Sequence, residues 1–313
     1  MGTARIATSN FLPSLRAAGN GTPRAVASRS LRSSREFAET QGIERAIEGY
    51  DALLEADDVD AIYIPLPNGM HAEWTVKTLR AGKAVLCEKP LACSLDEAEA
   101  ILRAARETGC LLWEAFVFPF HEQTRRILQI VESGEIGEIG EIRSHFNAQM
   151  TNPEDVRWDP DLAGGALNDI GCYCVHLGTA VFGEIPTRAA AMQTLTERGV
   201  DLTTQGILEY PSGRRLTFSS SFALQLDRGA TIGGTGGHVV ITNPFHAEPG
   251  DYIEVVAGKA SRREELPASR PTFTAAIRHI NDAIRGREEP RHLALTDALP
   301  TATGMDLIRR SAR

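Results

Sequence analysis

The sequence predicts an α/β protein in which a doubly wound, parallel-sheet domain is followed by an α/β domain whose sheet is mostly antiparallel. Three observations lead there. From Asp60 to Cys87 the chain reads strand, helix, strand: Asp60-Ala-Ile-Tyr-Ile-Pro65, an apolar stripe through Met70, Trp74, Val76 and Leu79, a stop at Gly82, then Ala84-Val-Leu-Cys87. A β-α-β crossover makes its strands parallel and puts its ligand side beyond their carboxyl ends. Beyond Phe118 the pattern changes to short alternating strands joined by turns such as Ser212-Gly213 and Pro249-Gly250, too closely spaced for crossover helices and therefore largely antiparallel. Finally, Gly2, Ala4 and Ala7 have the G-x-G-x-x-G spacing with two small-residue replacements, which lets a tight turn pass close to a pyrophosphate at a helix start.

Taken in order, that fingerprint of Gly2, Thr3, Ala4, Arg5 and Ile6 is the candidate cofactor turn, and it asks for a strand immediately ahead of Gly2 where only Met1 stands. The first strand of a doubly wound sheet is central, so the expectation is a sheet without that strand and a native start upstream of Met1. Ile6, Leu12 and Leu15 face the sheet from the following helix, and Arg24-Ala-Val-Ala-Ser28 is the next strand. An acidic residue at its end would accept hydrogen bonds from a ribose. The chain has Ser28-Arg29-Ser30 instead, with Arg32 just beyond. Arginine there can pair with a 2'-phosphate, which favours NADP and leaves NAD possible; a solvated turn arginine is the alternative.

Glu36 to Thr40 is helical in pattern, and Tyr50 to Leu54 starts a short helix leading to the Asp60 strand. The loop after that strand carries Pro65, Leu66, Pro67, Asn68 and His71. After the next strand come Glu88, Lys89 and Pro90. Ser94-Leu-Asp-Glu97 is a capping box, and Leu95, Ala98, Ile101, Leu102 and Ala105 line the helix it opens. Leu111 to Val117 is a further strand. Residues 1–118 therefore form the dinucleotide domain and 119–313 the substrate and oligomerisation domain, with terminal helices packing back. In the latter, Gln123 to Val131 is a helix. Strands are expected at Ile139 to Met150, Arg188 to Leu195, Leu202 to Tyr210, Arg215 to Phe222, Ala230 to Ile232, His238 to Ile241 and Tyr252 to Val256. Phe273 to Ile284 and the stretch from Thr296 return to helix. Gly233-Gly-Thr-Gly-Gly237 lacks the ending of a phosphate loop and reads as a hairpin connection.

Composition excludes several classes. The formal net charge is -8, and with no dense basic cluster nucleic acid is not an expected partner. Five cysteines, an odd number without CxxC spacing, read as reduced thiols in a cytoplasmic protein. No apolar run of about 18 residues is present to span a membrane. His238, His246, Asp251 and Glu254 do not form a zinc pattern, so no metal is expected. Lysine occurs only at Lys77, Lys83, Lys89 and Lys259, which makes Lys89, at the end of an apolar strand, hard to read as surface filler.

Glu88-Lys89-Pro90, reached from a loop with Pro67-Asn68 and His71, together with Gly164-Gly-Ala-Leu-Asn-Asp169-Ile-Gly-Cys-Tyr173 and its continuation to His176, resembles the glucose-fructose oxidoreductase and inositol 2-dehydrogenase (Gfo/Idh/MocA) family. The resemblance spans nearly the whole chain, and Tyr173 places it nearest the sugar and dihydrodiol dehydrogenases, since inositol dehydrogenases usually carry histidine there. Departures are the absent first strand, Ala4 in the fingerprint, and Phe118-Pro-Phe-His121 where relatives commonly have an arginine.

The resemblance implies hydride transfer between NADP and a CH–OH group of a sugar or cyclic polyol, such as aldose to lactone, and a homo-oligomer, a dimer, built on the open face of the sheet. It makes Lys89, Tyr173 and Asp169 the catalytic candidates. An ammonium at Lys89 can stabilise charge on the substrate oxygen as hydride moves. Tyrosine, ordinarily near pKa 10, is a poor base, but a nearby cation favours its phenolate. Asp169, four residues earlier and so on the same helical face, would orient the substrate or Lys89. His176 and Trp158 are further substrate-binding candidates, each equally readable as packing. Asn68, His71 and Glu88 would shape the cofactor side. Oxidation of an aromatic trans-dihydrodiol is the runner-up activity, and a non-catalytic dinucleotide-binding or interaction protein the rival from another class.

Overall fold

The computed structural model describes residues 1–268 and 270–312. Its backbone divides into two compact units, Met1–Ala92 with Asp96–Val117 and Ser269–Thr296, and Cys93–Leu95 with Phe118–Ala268 and Asp297–Arg313. The stretch 270–296, part of the second domain in the sequence reading with its terminal helices packing back, lies in the first of these units.

In the first unit Met1 to Ala4 form a turn. A helix starts at Arg5, passes through a π-helical stretch at Ala7–Phe11 and continues as α1 (Leu12–Ala18). There follow β1 (Ala25–Ser28), α2 (Leu31–Gln41), β2 (Arg45–Glu48), α3 (Asp51–Leu54), β3 (Ala61–Ile64), α4 (His71–Arg80), β4 (Ala84–Cys87), α5 (Leu95–Thr108) and β5 (Leu112–Glu114). All pairings are parallel: Val26 lies opposite Ala46, Ile62 opposite Val85 and Leu86 opposite Trp113. The sheet comes in two pieces, β2-β1 and β3-β4-β5. Val26, Ala27, Ile62, Ile64 and all of β4 are buried, the continuous apolar run expected of strands covered on both faces. Ile101 and Leu102 of α5 are among the largest fully buried side chains, each stabilising the fold by roughly 1.5–3 kcal/mol. Lys83 is also buried. Its ammonium donates to the carbonyls of Ala56 and Val59 at 2.7 and 2.9 Å, satisfying the chain just past α3.

The second unit is built on α6 (Glu122–Glu132), β6 (Ile139–Asn147), α7 (Cys172–Phe182), β7 (Arg188–Leu195), β8 (Asp201–Glu209), β9 (Arg215–Ser221), β10 (Asp227–Gly234), β11 (Gly237–Ile241), β12 (Tyr252–Ala257) and β13 (Ala260–Glu265). Eight strands form one sheet in the order β13-β12-β11-β10-β6-β9-β8-β7, antiparallel except for the β6–β9 pair. One face buries Ile142, Leu208, Leu216, Phe218, Ile232 and Ile253. Apolar Met192 and Ile207 stand exposed on β7 and β8. α7 is buried all round, from Cys172 to Thr179 and at Phe182, as a central core helix must be. It lies close on the sheet because Gly171 and Gly178 have no side chain: a Cβ would come within 2.8 Å of Ser220 Oγ and 2.5 Å of the Tyr210 hydroxyl. The polar strand β13 is anchored by Arg126, whose guanidinium grips Glu264 at 2.7 and 2.9 Å and, with Arg262, pulls that carboxyl down to about 2.

Two helices complete the chain, α8 (Thr274–Ile284) and α9 (Ala294–Ser311). α8 packs on α1, where the Phe273 amide donates to Ser14 Oγ at 3.2 Å and Asn20 Nδ2 donates to the Arg278 carbonyl at 2.8 Å.

Candidate active site

Each unit carries one cluster of candidate residues. In the first, the clusters' elements are the Met1 to Ala4 turn and the carboxyl ends of β1, β3 and β4. The Gly2 amide donates to the Ala27 carbonyl at 2.7 Å. Its φ is +79°, and a Cβ there would meet Leu66 Cδ2 at 2.9 Å, so the turn needs glycine twice over. The helix that follows begins with the Ala7 amide donating to the Ala4 carbonyl at 3.0 Å, and a helix start of this kind can receive an anion. Thr3 and Arg5 of that turn are exposed, Ala4 and Ile6 half-buried.

At the end of β1, Ser28 is buried and its hydroxyl donates to the Ser30 carbonyl at 2.9 Å. It shapes the turn. Ser30 in turn caps α2, accepting from the Ser33 amide at 3.2 Å. Arg29 is exposed, while Arg32 bonds Glu36 at 2.8 Å. Pro65 and Leu66 are buried, and Asn68 opens a single 3-10 turn, Asn68–Met70.

Two candidates on this side brace the loops there. His71 is wholly buried. Nε2 lies 2.8 Å from the Leu66 carbonyl and Nδ1 2.7 Å from the Pro90 carbonyl, and the ring ties the loop after β3 to the loop after β4. Burial lowers its pKa, against the two carbonyls. Glu88 is likewise buried, its Oε1 accepting from the Tyr63 hydroxyl at 2.6 Å; that bond turns it into the sheet. Lys89 follows β4 by two residues and is half-buried, its peptide to Pro90 is cis, and Leu91 N–H donates to Glu114 Oε1 at 2.8 Å just beyond. Strand end, proline and Glu114 together fix the segment that carries the ammonium.

The second cluster surrounds the start of α7. The chain makes a tight turn at Gly164 and Gly165, where a Cβ would lie 2.3 Å from the Arg157 carbonyl and 1.9 Å from Asp201 Oδ1. Asp201 accepts from the Leu167 amide at 2.7 Å and the Thr204 hydroxyl at 2.9 Å, and burial pushes its pKa up. A π-helical stretch, Leu167–Gly171, then leads into α7 and carries Asp169. Arg157 Nε donates to Asp169 Oδ2 at 2.7 Å and its Nη1 to Asp155 Oδ1 at 3.1 Å; Asp169 above all holds the guanidinium charged. This ion pair was not foreseen from the spacing of Asp169 and Tyr173.

Tyr173 is boxed by aromatic rings, with Phe245 at 5.3 Å, Phe146 at 5.5 Å and Phe118 at 6.4 Å between centroids. Its hydroxyl is 3.5 Å from His246 Nε2, at the outer limit of a hydrogen bond. His246 sits on a braced loop: its amide donates to Asn243 Oδ1 at 3.1 Å, and Asn243 Nδ2 donates to the His246 carbonyl at 2.7 Å and to Asp251 at 2.8 Å. Sequence reasoning set His246 and Asp251 aside with the rejected zinc pattern and missed this role. His176 is buried, its Nδ1 lies 3.0 Å from the Thr301 hydroxyl and its ring is edge-on to Phe118. Trp158 is half-buried, edge-on to Phe222, with its indole N–H donating to the Asn152 carbonyl at 2.8 Å.

These features agree with known proteins. The model of an oxidoreductase family with an NAD-binding Rossmann fold matches residues 1–116, and that of the GFO/IDH/MocA C-terminal domain matches 124–240. The chain is 38% identical to a D-xylose 1-dehydrogenase (NADP(+)) of Haloferax volcanii, over 80% of this chain and 76% of that one. It is 34% identical to a trans-1,2-dihydrobenzene-1,2-diol dehydrogenase of Xenopus laevis, over 90% and 87%. A crystal structure of a 3-ketoreductase from Actinomadura kijaniata, in complex with NADP and TDP-benzene, superposes with a TM-score of 0.90 at 33% identity, covering 99% of this chain and 95% of that one. Solved variants of that reductase replace one lysine and one tyrosine. With both domains matched in order and the whole chain covered, the protein belongs to the Gfo/Idh/MocA family of oxidoreductases.

Proposed function

We propose that the chain transfers a hydride between NADP and a CH–OH group of a sugar or cyclic polyol, as in oxidation of an aldose to its lactone. One observation carries the reading: the interval between Lys89 and Tyr173 equals that between the lysine and the tyrosine replaced in the Actinomadura reductase. The residues present fit a nicotinamide dinucleotide. Gly2 holds the positive φ of a tight turn, the backbone from Thr3 to Ile6 leads into a helix start, and Arg29 offers an exposed cation where a 2'-phosphate would be paired, which supports NADP over NAD. Pro65, Leu66 and Asn68 would line the same side.

When bound, the nicotinamide supplies the hydride acceptor or donor. On oxidation Tyr173 takes the substrate hydroxyl proton, and the Lys89 ammonium hydrogen-bonds the same oxygen. On reduction Tyr173 returns the proton. His246, beside the Tyr173 hydroxyl, can pass that proton onward. Asp169, engaged by Arg157, orients groups and is not the base, and Trp158 offers a flat apolar face to the substrate.

Absorbance at 340 nm, with NADP or NAD and a panel of aldoses, cyclic polyols and aromatic trans-dihydrodiols, tests this. Tyr173→Phe and Lys89→Ala should each lower kcat by about 10²–10⁴ with cofactor affinity retained. Wild-type turnover in both variants would refute the assignment. The relative from Xenopus laevis favours an aromatic diol as the second reading, and the panel separates the two.

A further inference from the structure

The π-helical stretch Leu167–Gly171 and α7, which carry Asp169 and Tyr173, are braced along their length by α9 within the second unit. The Thr301 hydroxyl lies 3.0 Å from His176 Nδ1 and 3.2 Å from the Thr179 hydroxyl. About one turn on, a Cβ at Gly304 would come within 2.8 Å of Val175 Cγ1, so glycine lets the two helices approach closely. Further along, Arg309 Nη2 donates to Asn168 Oδ1 at 2.6 Å. As α9 runs forward its contacts run backward, so the two helices are antiparallel. Eight residues separate Thr301 from Arg309, and eight separate His176 from Asn168, about 12 Å on each helix at about 1.5 Å per residue. Tyr173 falls between these two contacts.

The Arg309 end is where bracing is needed. A π-helical turn is a rare winding that recurs at functional sites, and the loop entering this one holds Ala163 at φ +55°, an uncommon conformation for a residue other than glycine. Asn168 grips both. Its Nδ2 donates to the Ala163 carbonyl at 3.0 Å while its Oδ1 accepts from Arg309. A guanidinium only donates and a carbonyl only accepts, so the two partners fix which way the amide faces. Asn168 is buried, and without Arg309 its oxygen gives up a charge-assisted bond. The same guanidinium acts on Asp201: burial raises the pKa of that carboxyl, and the Leu167 amide, the Thr204 hydroxyl and Arg309 draw it back. Asp201 in turn holds the Leu167 amide at 2.7 Å. On the hydride-transfer reading, on which this inference rests, we propose that α9 is a splint for the segment from Asp169 to Tyr173. Arg309 is its positioning residue, acting through Asn168 to fix the π-helical stretch and with it the place of the Tyr173 hydroxyl beside His246.

The test compares Arg309→Met and Arg309→Lys with the unaltered chain. Arg310→Met is the control, because Arg310 is the next residue of the helix, exposed and paired with Asp306 at 2.8 Å. Fluorotyrosine incorporated in each chain reports on Tyr173, its fluorine resonance assigned by its loss in Tyr173→Phe. That resonance should move in Arg309→Met, return in Arg309→Lys, whose ammonium can donate to the same oxygen, and stay in place in Arg310→Met. Asn168→Leu cuts the same bond from its other end and serves if Arg309→Met does not fold. An unmoved resonance on loss of the bond, or an equal displacement in Arg310→Met, would overturn the proposal. With a substrate from the absorbance panel, Arg309→Met should lower kcat by about tenfold to a hundredfold and leave the KM for NADP unchanged. Lowered thermal stability with kcat unaltered would overturn the positioning role. Absence of wild-type turnover across the panel would count against the hydride-transfer reading, and the fluorine comparison, which needs no substrate, would still decide the splint.

Discussion

In a chain made with Met1 as its first residue, stability of the first unit should fall as pH drops from 8 to 5, because the Met1 amine enters the fold uncharged. It lies fully inside the protein, donating to Tyr63, and burial moves its pKa from the ordinary 8.0 to about 5. Within that window the folded amine is neutral and the unfolded one protonated, so unfolding takes up a proton and acid promotes it. Above pH 8 neither form is protonated; below pH 5 both are, and the loss is complete. A fall from 8.0 to about 5, at about 1.4 kcal/mol per pH unit, comes to about 4 kcal/mol. Urea midpoints at half-unit steps would show it, with intact mass confirming that Met1 is retained. Nα-acetylated protein is the comparator, because its N-terminus cannot titrate. The buried His71, whose pKa is also lowered, destabilises in the same direction but is common to both chains and cancels. The difference between the two should change by about 1.4 kcal/mol per pH unit. Identical pH slopes for the two chains would refute the reasoning.

Three substitutions probe the backbone around the two clusters. Gly2→Ala puts a Cβ at positive φ and against Leu66; it should cost about 1–2 kcal/mol from the backbone alone and weaken NADPH binding in a fluorescence titration. His71→Ala strips the buried Leu66 and Pro90 carbonyls of their shared partner, and a loss of about 1–3 kcal/mol should appear in chemical denaturation. Gly165→Ala drives a methyl into Asp201 at φ +118° and should cost more than about 3 kcal/mol, whereas Gly213→Ala, at φ +81° with nothing within 4 Å of its Cβ, should cost about 1–2 kcal/mol; equal midpoints for the pair would show that Asp201 simply moves aside.

Where function is carried by short-range pattern, the sequence is readable. The crossover from Asp60 to Cys87 appears as β3, α4 and β4, and the strand expected at Arg188 to Leu195 is β7 residue for residue. Two strands escaped, for one reason. β2 reads Arg-Ala-Ile-Glu and β13 reads Ala-Ser-Arg-Arg-Glu-Glu, neither with an apolar face to alternate, so only a neighbouring edge and, for β13, the grip of Arg126 define them as strands. The candidate site shows the same division. Lys89 and Tyr173 are marked by local motifs, but the partners that set their surroundings lie far along the chain: His246 is 73 residues from Tyr173, and Asp201 is 34 from Leu167. No periodicity reports such pairs. His71, Glu88 and His176 sit beside the motifs yet turn inward to the Leu66 carbonyl, the Tyr63 hydroxyl and the Thr301 hydroxyl, because a polar group next to a ligand loop can equally be the brace that holds the loop.

The proposed proton transfer bears on how charge is distributed within the second cluster. Asp169, which the sequence places on the helical face of Tyr173, accepts from Arg157 at 2.7 Å and stabilises its charge. The Asp169 oxygen that accepts from Arg157 is engaged by that guanidinium. Tyr173 instead lies among Phe118, Phe146 and Phe245, where few solvent dipoles compete and a hydrogen bond to its oxygen is strengthened. The one imidazole beside that oxygen among the described residues, His246, is held by Asn243, and Asn243 by Asp251 and Gln123. Tyr173 thus stands in an apolar box with a braced imidazole 3.5 Å from its hydroxyl, and the Arg157–Asp169 pair pins the turn from which α7 starts.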